Sequence, residues 1–117
     1  MRLLIPSLAT ASLLISGPAG AHAHLEKSTP AEGSVLTSSP TAVEMTFSEV
    51  ARLTALAIQK DREPKIPVKS LPSAAEKTVR VALPALSPGA YTVTWRVVSP
   101  DGHVMSGSLH FTISAKP

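Results

Sequence analysis

Two short stretches hold residue types that can do chemistry. In "AHAHLEKSTPAEG", residues 21–33, His22 and His24 stand one alanine apart, just after the most apolar part of the chain. In "SPDGHVMSG", residues 99–107, an Asp-Gly-His step places the carboxylate of Asp101 two residues from the imidazole of His103. Imidazole and carboxylate together are metal-ligand chemistry, and the value of the first stretch depends on where the chain is cut. If a histidine becomes the first residue, its α-amine and a ring nitrogen can chelate one ion. Nitrogen ligands of that kind favour Cu(II), which takes tetragonal geometry and heads the divalent affinity order.

The residues before the first stretch read as a secretion signal. Arg2 gives a short positive start, residues 3–15 are mostly apolar, and residues 17–23 are rich in small side chains. The apolar part is short for a membrane span, which needs about 20 residues, and Pro6 and Pro18 interrupt it. Cleavage is therefore the better reading. Ala21-His22-Ala23 puts the cut before His24, and Ala19-Gly20-Ala21 puts it before His22. The first gives an N-terminal His24; the second leaves His24 as the third residue of a flexible amine, amide and imidazole clamp. Without a cut that exposes an amine, both histidines are only polar residues of the cleavage region.

The Asp-Gly-His step is a turn signal as well as a ligand pair. Gly102 lets the backbone fold so that Asp101 and His103 converge, but Asp-Gly is also an ordinary turn dipeptide. No cysteine is present, so thiolate sites for soft metals are excluded. The charge of +3 becomes +2 once Arg2, the charged residue of the leader, is lost. Scattered cations and few aromatics do not make a nucleic-acid surface.

The elements that must position these residues are strands. Removing residues 1–23 leaves 94 residues, enough for one domain with a single core and no internal repeat. The mature region alternates with a period of two. In "VEMTF", Val43, Met45 and Phe47 share a face; in "TVRVAL", Val79, Val81 and Leu83 do; in "YTVTWRVV", Tyr91, Val93, Trp95 and Val97 do; in "SLHFTIS", Leu109, Phe111 and Ile113 do. Met45 and Trp95 thus belong to the core. His110 falls on the polar face, exposed, with no ligand partner at metal spacing along its own strand. "LTALAIQ", residues 53–59, is apolar on both sides, as a more buried strand is. Proline and glycine turns at residues 30–33, 39–40, 64–67 and 87–89 separate these runs. Residues 59–77 form a longer polar excursion, with a short edge strand around Val68. The expectation is an all-β domain, an Ig-like Greek-key β-sandwich or small barrel of about seven strands.

On these residues the chain resembles the CopC family of periplasmic copper-resistance proteins. The resemblance is carried in order by "HLEKSTPAEGS", "MTFSE", "LSPGAYTVTWRVVSPDGHVMSG" and "FTI". It implies a site in which His24 binds Cu(II) through its amine and one ring nitrogen, His103 adds a second imidazole and Asp101 a carboxylate oxygen. Glu49, after Phe47-Ser48 in "MTFSE", then lies near the site as a hydrogen-bonding partner of a ligand. Some members carry a Met- and His-rich loop for Cu(I). The corresponding "DREPKIPVKSLPS", residues 61–73, contains neither type, which argues for Cu(II) alone. Met105, near His103, is expected to pack.

The resemblance further implies a non-enzymatic, monomeric periplasmic protein that takes one Cu(II) per mature chain. It would buffer copper or pass it to a CopD-like inner-membrane transporter. Protons compete for free imidazoles near pH ~6.5 and for an α-amine near pH ~8, so binding should weaken on acidification. Two rivals are a histidine-brace copper oxidase acting on a polysaccharide and an interaction sandwich without metal. The first lacks an aromatic platform if Tyr91 and Trp95 are core residues.

Overall fold

The computed structural model describes residues 23–115; the expected leader, Ala23 apart, lies outside them. The alternating runs become seven strands, with no helix among the described residues: β1 (Leu25–Thr29), β2 (Ser34–Leu36), β3 (Ala42–Lys60), β4 (Ile66–Pro67), β5 (Glu76–Ala82), β6 (Gly89–Val98) and β7 (Val104–Ile113). The all-β architecture expected from the alternation is the one observed.

β3 is the spine. Its first half pairs antiparallel with β1 and β5, its second half with β6 and β4. β6 and β7 form a hairpin, and β2 adds to β7 in parallel. The register against β5 shifts between Thr46 and Ala51, and pairing with β6 begins at Arg52. Residues 47–50 are thus the corner at which β3 leaves one layer for the other, a standard way to turn a curled sheet into a sandwich.

Two features depart from the sequence pattern. "VEMTF" and "LTALAIQ" belong to one strand of 19 residues rather than to two strands. Nor is the second run buried on both sides: Leu53, Leu56 and Ile58 are buried and Ala55 is exposed. A register shift between Leu53 and Ala55 resets the alternation, so leucines three apart both face inward. The edge strand expected near Val68 is β4, and Val68 N–H extends its pairing by donating to the Leu56 carbonyl at 2.8 Å.

The core fills from both layers. Val43, Met45, Phe47, Val79 and Val81 meet Tyr91, Val93, Trp95, Val97, Leu109, Phe111 and Ile113, all buried. Each such Val, Leu or Phe contributes about 1.5–3 kcal/mol. The Trp95 ring stands edge-on to Phe47, centroids 5.2 Å apart at 72°. It also lies over Gly107, where a Cβ would come within 2.6 Å of the indole. Together these contacts fix the end of the β6–β7 hairpin that carries the candidate site.

Candidate metal centre

The β6–β7 connection, residues 99–103, closes as a three-residue turn, residues 100–102, inside the Ser99–His103 pair. Ser99 N–H donates to the His103 carbonyl at 2.9 Å, and Gly102 N–H donates to the Ser99 carbonyl at 2.9 Å. Gly102 sits at φ +91°, the left-handed position that such a loop requires at its last residue and that glycine adopts without a Cβ penalty. The chain reversal brings Asp101 onto His103.

Asp101 grips its neighbour at two points. Its Oδ1 accepts from the Ser99 hydroxyl, in a short bond, and from the His103 backbone N–H at 3.3 Å; its Oδ2 lies 2.8 Å from His103 Nδ1. The Ser99 hydroxyl first, and then the His103 ring, pull the Asp101 carboxyl down to about 2. Asp101 is therefore ionised at ordinary pH and only accepts, so His103 Nδ1 carries the proton and the lone pair of the ring is on Nε2. A carboxylate that fixes tautomer and ring orientation is what a metal-binding imidazole normally has behind it. Both side chains are half exposed.

His24 is the residue before β1, and Ser48 on β3 holds it. The Ser48 N–H donates to the His24 carbonyl at 2.8 Å, extending the β1–β3 ladder by one step. The His24 N–H donates to Ser48 Oγ at 3.0 Å, and the same hydroxyl lies 3.1 Å from His24 Nδ1. His24 is exposed, whereas Ala23, on the other side of the expected cut, is buried.

The expected ligands form two half-sites rather than one cluster. The structure brings Asp101 to His103 and His24 to Ser48. Among the described residues, no three His, Cys, Asp or Glu side chains stand together as a metal group. The halves lie at the same end of the sandwich. Ser48 is four residues before Arg52, which pairs with Val98 at the end of β6, a separation of about 13 Å of strand. Glu49 follows Ser48 at the corner, half-buried. Met105 is partly buried and packs against the core, as expected.

Three contributors escape a reading of the sequence. Ser99, buried and hydrogen-bonded to Asp101, and Ser48 look like generic strand-end serines; only their place in the fold gives them partners. The third is Glu32, from the turn before β2. Its carboxylate accepts the His110 backbone N–H at 2.9 Å and lies 3.0 Å from His110 Nδ1. Those contacts, the backbone one foremost, hold Glu32 below the usual carboxylate range. His110 is exposed, as its alternation predicts, but its partner comes from across the β2–β7 edge and not from its own strand. Tyr91 and Trp95 are 4% and 6% exposed, so neither offers a surface for stacking a ligand.

The CopC domain family model matches residues 25–114. Copper resistance protein C of Pseudomonas syringae pv. tomato is 36% identical over 117 residues, covering 92% of each chain. Protein YobA of Escherichia coli K12 is 38% identical over 109 residues, covering 88% of this chain and 86% of its own. Among solved structures, PcoC of Escherichia coli, described as a methionine-rich copper resistance protein, superposes with a TM-score of 0.60 at 32% identity, covering 80% of this chain and all of its own. CopC of Methylosinus trichosporium OB3b gives a TM-score of 0.74 at 23% identity, over 82% of this chain and 97% of its own, a likeness of fold.

Proposed function

The chain belongs to the CopC family, and from that premise we propose that it is a periplasmic protein that takes Cu(II) as cargo once residues 1–23 are removed. The mature chain begins at His24, whose amine and ring nitrogen form one arm of the site. His103 supplies the second imidazole through Nε2. Asp101 orients that ring in the metal-free protein; on binding, its carboxylate leaves Nδ1 and turns an oxygen to the ion. Three nitrogens and one oxygen make a tetragonal set suited to Cu(II). Glu49, at the corner beside Ser48, serves as an outer hydrogen-bond partner.

The observation that carries the reading is the 2.8 Å Asp101–His103 pair, built by a glycine-dependent loop at the end of the sandwich where His24 also sits. Cu(I) lacks soft ligands in the excursion after β3. Residues 61–73 contain no Met or His, and of the three methionines Met45 is buried in the core. Thioether is the ligand that selects Cu(I). The protein would buffer Cu(II) or pass it to a CopD-like membrane partner, as a monomer with one ion per chain and without catalysis.

The test is Cu(II) titration of the mature protein by calorimetry, beside the His103→Ala variant and protein with its α-amine acetylated. Both changes should weaken binding by at least about tenfold. Unaltered binding in both would reject the assignment.

A further inference from the structure

Two nitrogens of His24 point at one oxygen. The backbone nitrogen is 3.0 Å and Nδ1 is 3.1 Å from Ser48 Oγ. These are the same two nitrogens that an N-terminal histidine uses to chelate a metal, and chelation requires that both face a common point. We propose that the Ser48 hydroxyl is a positioning group that holds His24 in its chelating rotamer before copper arrives. The inference rests on the reading of His24 as a copper ligand and adds to it a residue that sets the ligand's geometry.

The hydroxyl is itself well fixed. Ser48 follows Phe47, which is fully buried, and its N–H is committed to the His24 carbonyl at 2.8 Å. One residue of β3 therefore holds His24 at its carbonyl, its backbone nitrogen and its ring. A hydroxyl has one hydrogen and two acceptor lone pairs, enough to serve both nitrogens. When the chain is cut before His24, the backbone nitrogen becomes an amine with hydrogens to spare. On metal binding both nitrogens turn a lone pair to the ion, so Nδ1 leaves the hydroxyl while an amine N–H stays on it. The hydroxyl is a ready holder that gives way on one side only.

An N-terminal residue without such a holder samples several χ1 wells, and outer partners of metal ligands are commonly worth 10–100-fold in affinity. The test uses mature protein beginning at His24, as wild type, Ser48→Ala and Ser48→Thr. Competition against a chromophoric chelator gives Cu(II) affinity, and NMR couplings of the metal-free protein give the His24 χ1 population. Ser48→Ala should lose about tenfold in affinity and spread χ1 over several rotamers, with the Asp101 and His103 resonances in place. Ser48→Thr, which keeps a hydroxyl, should restore both.

An alanine variant within twofold of wild type, or one whose His24 keeps a single rotamer, overturns the role of Ser48. Acetylation of the amine and His103→Ala separate the two readings. If they abolish tight binding while Ser48→Ala does not, only the Ser48 inference falls; if they change nothing, His24 is no ligand and both fall.

Discussion

Asp101 acts on His103 by staying ionised. Its carboxyl, held at about 2 by Ser99 and then by the ring, remains an acceptor at neutral pH. Ser99→Ala removes the larger of these causes, so an NMR titration should show the Asp101 midpoint rising toward the ordinary value near ~3.9; an unmoved midpoint would contradict the assigned cause. A lowered folded-state pKa adds stability that is fully present above ~3.9 and is lost as pH falls toward about 2. Asp101→Asn should let the His103 ring turn and cost at least about tenfold in Cu(II) affinity, read by chelator competition. At this scale the Asp-Gly-His step was legible because one glycine and a two-residue spacing make a closed loop. Ser48, Ser99 and Glu32 were not, since a serine or a turn glutamate gains its meaning from whatever the fold sets beside it.

Among the elements, β3 decides how the ends of the sandwich are arranged. Its corner at residues 47–50 places Ser48 for β1 and Arg52 for β6. The hairpin opposite is seated by the Trp95 ring over Gly107, where a Cβ would come within 2.6 Å. Gly107→Ala must therefore displace the indole from Phe47, and should cost about 1–3 kcal/mol in denaturant unfolding with an altered tryptophan emission maximum. A variant as stable as wild type would show that the ring moves freely. Alternation made β5, β6, β7 and most of β3 legible, because a half-buried strand writes its pleat into its sequence. It could not show that two runs form one strand, since the corner at residues 47–50 and a bulge between Leu53 and Ala55 both interrupt the period. β1 and β2 were also unreadable: "LEKST" and "SVL" bury too little of either face to leave a pattern.

On the scale of the whole molecule, the proposed site calls on both folding and processing. Folding sets Asp101 against His103 and His24 against Ser48; in the proposed maturation, removal of the leader would turn the His24 amide into an amine. The CopC fold and family were legible in the sequence through its ordered motifs, whereas the proposed joining of the half-sites would depend on the amine that a cut before His24 creates. The most direct measurement is Cu(II) affinity and stoichiometry, by chelator competition, for protein beginning at His24 and for protein retaining Ala23. The account predicts one Cu(II) per chain for the first and binding at least about tenfold weaker for the second. Equal affinity in the two would contradict it.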